Sequence, residues 1–320
     1  MKFPTNLQII YQNWTRGEGL AFFAWVKRRR REHTNAKYVS PELLAGMRRK
    51  ETRFVMLLKK IGARALCPLV ALLCLLPALA IPVSARTNWY CTRAADHRQP
   101  LADAPLREVE KLGGYYIDHN HTEPDGEDKV VYLTFDVGYE NGNVGKVLDA
   151  LAAEEATGAF FVLGHVAEDC PDLLRRMADE GHLVCNHTYT HKNLCGAPAG
   201  ALTAELERLE TACSDVGVTV SKYYRPPEGC FDEALLTEAR SKGYKTIFWS
   251  FAYADWDNAK QPDPAAAKKK IMDNLHNGAV ILLHPTSATN AAILGEVLQE
   301  MKAQGYRFGT LDELTGGEGA

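Results

Sequence analysis

The sequence holds no CxxC pair, no internal repeat, no low-complexity tract and no unbroken apolar run of full membrane-spanning length. Its eight cysteines are scattered singly, which excludes a zinc knuckle. Cys67 and Cys74 lie in an N-terminal apolar run. Cys91, Cys170, Cys185, Cys195, Cys213 and Cys230 remain, an even number that permits disulfides in an oxidising compartment without saying which thiols pair. Positive charge is scarce outside the N-terminal region. Residues 1–85 hold 15 Lys and Arg against 4 Asp and Glu, a net of +11, so the rest carries −14 within a total of −3. A body that acidic repels nucleic acid and anionic wall polymers, which argues against either as a general partner. At 46% hydrophobic and 24% charged residues, the chain can bury one large core.

The N-terminal third reads as a targeting region. Residues 65–81 are uncharged and apolar, with Pro68 and Pro77 inside them. Lys59, Lys60 and Arg64 precede the run, and the small residues of Pro82-Val83-Ser84-Ala85 follow it. That is the order of a secretory signal cleaved after Ala85; a membrane anchor is the alternative, and the run is short for a span. The chain is therefore expected to be exported, with any membrane contact confined to this segment. The signal sits deep in the chain, and Met56 would be an ordinary start. Residues 1–55 thus read as a mis-called upstream extension or as a cytoplasmic one, in which Arg28–Arg31 would set topology.

From residue 86 the chain divides into a polar lead-in (86–127) and a regular region (128–316). The lead-in shows a short helical pattern near 106–112, then Asp118, His119, His121 and Asp125 in a loop that reads as solvated rather than metal-binding. Beyond it, β-branched and aromatic runs at 130–135, 159–163, 183–185, 223–225, 246–250, 280–283 and 306–308 predict seven strands. Helical periodicity begins near 144 and recurs over 171–177, 201–213, 235–239 and 291–301. Such alternation implies a parallel sheet with helices outside it, either an incomplete or distorted barrel or an open doubly wound sheet.

Chemistry-bearing residues follow the strands. The first strand ends on Asp136, the third leads into His187 and His191, the fourth into Arg225, the fifth into Asp255-Trp256 and the sixth into His284. In a barrel, strand C-termini converge on one face. Two imidazoles four residues apart can hold a divalent cation such as zinc, or can be two polar residues of a surface turn. Arg225 can keep Asp136 ionised as a base. Asp255 can orient His284 and raise its pKa, as a general acid near neutrality needs. Trp256 can wall an acyl pocket. His165 and His182 read as structural.

These motifs resemble those of the polysaccharide deacetylases of carbohydrate esterase family 4: Thr134-Phe135-Asp136, His187-Thr188-Tyr189-Thr190-His191, Arg225-Pro226-Pro227, Asp255-Trp256 and Leu283-His284, in the family's order. The resemblance implies a distorted (β/α)7 barrel and metal-dependent removal of acetyl groups from sugar nitrogen. It implies Asp136 as base, His284 as acid, Asp255 and Arg225 as their supports, and His187 and His191 as metal ligands. Sugar contacts are expected from Tyr139, Glu140, Asn141, Glu228 and Trp256. A narrower resemblance, through Phe135-Asp136-x-Gly138-Tyr139-Glu140-Asn141-Gly142, Phe248-Trp249-Ser250 and Gly113-Gly114-Tyr115-Tyr116, is to the delta-lactam-biosynthetic de-N-acetylases of spore formers. It implies peptidoglycan glycan strands as substrate, stripped beforehand by an amidase, and N-acetylmuramic acid as the reacting sugar on the way to muramic δ-lactam of the spore cortex. Localisation at the cell wall or spore envelope goes with it.

There are two departures. Val137 stands where most of the family has a second Asp as third metal ligand, so zinc or a similar ion would be held more weakly, with Asp136 or substrate completing the site. Glu228 stands where much of the family has Tyr. A general deacetylase of chitin-like oligomers or xylan, and a non-catalytic wall-glycan module, are the competing functions.

Overall fold

The computed structural model describes residues 86–317. The extension, apolar run and cleavage site expected over 1–85 lie outside the described residues.

Among the described residues ten strands occur, in the order β1 (Thr87–Asn88), β2 (Gly114–Tyr115), β3 (Lys129–Val137), β4 (Ala159–Val162), β5 (Leu183–Asn186), β6 (Ser221–Tyr224), β7 (Cys230–Phe231), β8 (Lys245–Ile247), β9 (Ala279–Leu283) and β10 (Tyr306–Phe308). The helices are α1 (Glu108–Lys111), α2 (Val144–Ala153), α3 (Gly164–Asp169), α4 (Pro171–Asp179), α5 (Ala201–Asp215), α6 (Glu233–Ser241), α7 (Pro264–Asp273), α8 (Ala288–Ala303) and α9 (Leu311–Leu314).

β3 shows why the sheet is buried on both sides. Successive side chains of a strand point to opposite faces. Val131, Leu133, Phe135 and Val137 join an outer core cluster with Val147, Leu148 and Leu151 of α2 and Leu294, Val297 and Leu298 of α8. Val130 and Tyr132 join an inner cluster with Phe161, Tyr223, Ile247 and Val280 from other strands. An apolar strand on both faces is what a parallel sheet under helices requires.

The pairings run β10–β3–β4–β5–β6–β8–β2, with β9 also on β3, and all are parallel. A bridge between Phe251 and Ile281 brings the chain after β8 beside β9. The sheet therefore curls into a distorted (β/α)7 barrel, and the open doubly wound alternative is set aside. All seven expected strands form. β8 stops at Ile247, before the expected residue 250, because Ser250 and Phe251 turn to donate to the Val280 carbonyl at 2.9 and 3.2 Å. Periodicity missed α7, whose buried residues are only Ala267, Ile271 and Met272. Its start is set instead by Asp263, which accepts from Ala266 N–H, and by Pro264 in the first turn.

The lead-in packs on the barrel. Trp89, Leu106, Val109 and Tyr116 share a cluster with Leu202, Leu206, Tyr224, Leu236 and Phe248, and β1 pairs antiparallel with β7. Asp118 is buried, not solvated. It accepts from Tyr132 Oη at 2.6 Å and His121 Nδ1 at 2.7 Å, so this acid and imidazole fasten the lead-in to β3. No helix among the described residues is long and apolar enough to cross a membrane.

Candidate active site

The C-terminal ends of the barrel strands open into a cleft of about 650 Å³. Asp136, Tyr139, His187, His191, Glu228, Trp256 and His284 line it, with Leu163, His165, Trp249, Tyr253 and Leu282. Arg225 and Asp255 sit behind it, fully buried.

Asp136 is the penultimate residue of β3 and lies on its inner face. Its Oδ1 accepts from Arg225 Nη1 at 2.8 Å. Arg225 is locked in turn. Its Nε donates to the Ile247 carbonyl at 3.0 Å, its Nη2 donates to Thr134 Oγ1 at 2.9 Å and to the Phe248 carbonyl at 3.2 Å, and its guanidinium lies 4.2 Å over the Phe161 ring. A guanidinium suits this place because its fork of donors satisfies several acceptors at once. Burial alone would raise the Asp136 pKa. The charge of Arg225, with His187 and His284, outweighs it and holds the carboxyl below its ordinary value.

His187 and His191 lie on a loop, not on a helical turn. Thr188 and His191 both take left-handed φ, +68° and +57°. Thr188 N–H donates to Asn186 Oδ1 at 2.9 Å, and His191 N–H to Thr188 Oγ1 at 3.0 Å. This local bonding folds the loop so that the two rings lie 4.9 Å apart. His187 Nδ1 donates to the Arg225 carbonyl at 2.8 Å, which leaves Nε2 as the lone-pair nitrogen, 3.5 Å from Asp136 Oδ2. Burial pushes the His187 pKa down to about 4, so the ring is neutral. A neutral imidazole fixed by a carbonyl on its far nitrogen is the form a metal ligand takes. Burial lowers the His191 pKa as well, so two neutral imidazoles, donors of the type a divalent cation takes, stand near the Asp136 carboxylate; among the described residues no group of three or more His, Cys, Asp or Glu is arranged to hold a metal ion.

Val137 cannot add a third ligand. Its side chain belongs to the outer cluster, on the opposite face of β3 from Asp136. The departure is thus one of direction as well as of residue type.

Across the cleft, His284 follows β9. Its Nδ1 donates to Asp255 Oδ1 at 2.7 Å and its backbone N–H to Asp255 Oδ2 at 2.8 Å. Asn290 of α8 donates to the same Oδ2 at 2.6 Å and to the His284 carbonyl at 3.1 Å. Burial would lower the His284 pKa. The hydrogen bond and charge of Asp255 outweigh it and raise it, leaving Nε2 toward the cleft with a transferable proton.

Two expected sugar contacts do not line the cleft. Glu140 turns back and accepts from the N–H groups of Gly142 and Val144, capping α2. Asn141 donates to the Thr286 carbonyl at 2.9 Å and ties the loop after β3 to the loop after β9. The left-handed turn in the first of these loops is at Gly142, φ +88°. His165, read as structural, stands exposed on the cleft wall in the first turn of α3, three residues past the end of β4, where position after a strand end was the available signal. Asn290 had no signal, because it reaches the site from the side of a helix. His182 is structural, accepting from Gly158 N–H.

The chain resembles known proteins along most of the described region. Residues 123–247 match the family model described as polysaccharide deacetylase. The peptidoglycan-N-acetylmuramic acid deacetylase PdaA of Bacillus subtilis is 38% identical over 229 residues, which cover 71% of this chain and 85% of that protein. Its structure, described as a family 4 carbohydrate esterase, superposes with a TM-score of 0.67 at 37% identity, over 72% of this chain and 96% of that one. A family 4 carbohydrate esterase from Bacillus anthracis gives a TM-score of 0.58 at 33% identity, over 72% and 97%. A peptidoglycan-N-acetylglucosamine deacetylase of Bacillus cereus is 30% identical over 203 residues, covering 60% of this chain and 91% of that protein. The chain belongs to the polysaccharide deacetylases of carbohydrate esterase family 4, hydrolases that remove acetyl groups from amide nitrogen.

Proposed function

We propose that this protein is an exported peptidoglycan N-deacetylase acting on N-acetylmuramic acid in glycan strands already stripped of peptide, ahead of closure to muramic δ-lactam. The observation that carries the chemistry is the pairing of Asp136–Arg225 with His284–Asp255 across one cleft, beside His187 and His191. The muramic preference draws on the 38% identity to the Bacillus subtilis enzyme of that name and on the sequence likeness to the delta-lactam de-N-acetylases.

His187 and His191 are the residues that would hold a divalent cation, with Asp136 adjacent. When bound, such an ion supplies polarisation of the acetyl carbonyl and acidifies water. The chain's own residues do the rest. Asp136, kept ionised by Arg225, takes the proton of the water whose oxygen attacks the carbonyl carbon. Pro226 and Pro227 have no N–H, so Glu228 carries the first amide donor after Arg225 available to the developing oxyanion. His284 Nε2 then protonates the sugar nitrogen as the C–N bond breaks, giving acetate and a free amine. Asp255 and Asn290 hold His284 in the tautomer that can do so. Tyr139 and Trp256, both substantially exposed at the cleft, offer faces on which sugar rings can stack.

The test is mass spectrometry of glycan strands incubated with the full-length protein. Peptidoglycan stripped by an amidase, intact peptidoglycan and chitin oligomers are run in parallel. The proposal expects acetyl loss from muramic residues in the stripped sample alone. Acetyl loss from chitin oligomers instead would make the enzyme a general deacetylase.

A further inference from the structure

Six cysteines fall among the described residues, and the catalytic arrangement uses none of them. Four are placed apart. Cys185 belongs to the inner barrel cluster and Cys213 to the outer one. Cys91 donates to the Trp249 carbonyl at 3.6 Å, and Cys170 precedes α4. Cys195 and Cys230 differ. They are 35 residues apart in sequence, yet their sulfurs stand 2.7 Å apart, closer than two thiols rest without bonding or sharing a proton.

What the two thiols join matters more than that they meet. Cys195 lies four residues beyond His191, at the end of the loop that sets the two imidazoles. Cys230 opens β7, directly after Glu228 and Gly229 of the loop that begins at Arg225. Both loops carry non-glycine residues in left-handed conformations: Thr188 and His191 on one, Glu228 at φ +61° on the other. Such residues persist only where their surroundings over-determine them. Polar contacts already cross the gap. Asn193 Nδ2 donates to Glu228 Oε2 at 2.8 Å, and Gly196 N–H donates to Asp232 Oδ2 at 2.7 Å. Arg86 Nε donates to Cys230 Sγ at 3.1 Å.

We propose that Cys195 and Cys230 are an oxidation site, forming a disulfide that binds the His187–His191 loop to the Arg225–Glu228 loop and fixes the geometry of the cleft wall. Cys195 is half-buried and Cys230 fully buried, which orders the steps. The Cys195 thiolate attacks the disulfide of an oxidised thiol carrier and forms a mixed disulfide. Cys230 then attacks Cys195 Sγ and releases the carrier's second thiol. Two protein S–H bonds are lost and one S–S bond forms. The two electrons and two protons reduce the carrier disulfide to two thiols. Export would supply the oxidising compartment, but the test does not depend on it.

The full-length protein is purified, treated with oxidised glutathione or with dithiothreitol, blocked with N-ethylmaleimide and mapped by non-reducing peptide mass spectrometry. The proposal expects a linked pair of peptides carrying Cys195 and Cys230, 2 Da lighter than the two thiol peptides together by loss of two hydrogens. It expects hydrogen exchange over 187–196 and 226–231 to slow several-fold in the oxidised form, and the Tm to rise by about 5–10 °C, as closing a loop of this length predicts. Dithiothreitol should reverse both changes, and Cys195→Ser should abolish the redox response. Because oxidised and reduced wild type are compared directly, a variant that fails to fold does not remove the test. Alkylation of both thiols after oxidant, linkage of either to Cys91 or Cys170, or a link that leaves exchange unchanged would overturn it.

Discussion

Asp136 and His284 face the same cleft and are held in opposite ways. Asp136 is a buried carboxylate whose charge is kept by a fully buried guanidinium with almost every donor engaged. His284 is half-buried, and its charge is kept by a carboxylate itself fixed by Asn290 and a backbone N–H. The first arrangement makes ionisation nearly permanent, which suits a group that must accept a proton at any working pH. The second poises a proton that can leave and return. In both, burial pushes the group toward neutrality and nearby partners reverse it, Arg225 foremost for Asp136 and Asp255 foremost for His284.

Breaking the comparison on the base side should cost most. Asp136→Asn keeps the shape and removes the proton acceptor, and kcat on the amide substrate should fall about 10³–10⁴-fold, toward the upper end of what a positioned acid or base supplies. A loss under tenfold in steady-state kinetics would remove Asp136 from the base role. Arg225→Met leaves Asp136 buried without its countercharge. Folding should weaken by about 3–5 kcal/mol in denaturant titrations. In the protein that remains, the Asp136 pKa should rise, so the acid limb of kcat/KM should move to higher pH. An unmoved acid limb would mean that Arg225 does not control that ionisation.

On the acid side the expected effects are smaller. In the proposed mechanism His284 acts protonated, so activity should be lost as pH rises through its pKa. Asp255 raises that pKa; Asp255→Asn should therefore shift the alkaline limb to lower pH and cut kcat at neutral pH by roughly tenfold, less than the full contribution of a general acid because His284 itself remains. A shift in the other direction would contradict the sign. Smallest of all, Glu140→Ala removes a cap from α2 and should lower stability by about 0.5–2 kcal/mol with less than a twofold change in kcat/KM, the magnitude of a lost helix cap. A tenfold rise in KM would return Glu140 to the substrate.

The contrast between the two sides also separates what was legible in the residues from what was not. Each strand run of 130–135, 159–163 and 280–283 announces itself by composition, and the chemistry-bearing residues follow strand ends, where a barrel gathers them. Asp136, His187, His191 and His284 could be gathered on that rule alone. His165 obeys the same rule and was passed over, because a lone histidine after a strand has an ordinary structural reading. Asn290 could not be found, since only the tertiary approach of α8 brings it to Asp255. The hydrogen bonds of Glu140 and Asn141 were not legible either: polar residues beside the candidate base read as substrate contacts, and only the folded loop shows Glu140 accepting from backbone N–H groups and Asn141 donating to the Thr286 carbonyl. Val137 was legible as a missing ligand, but its burial on the outer face depends on how far β3 runs.

The central claim is the division of labour, with Asp136 activating water and His284 protonating the leaving group. It is tested most directly by comparing Asp136→Asn and His284→Gln on an N-acetyl sugar and on an aryl acetate, whose leaving group needs no proton. The account predicts that the His284→Gln loss is at least about 100-fold on the amide and shrinks below about tenfold on the aryl ester, while the Asp136→Asn loss is similar on both. Equal losses for both variants on both substrates would contradict it.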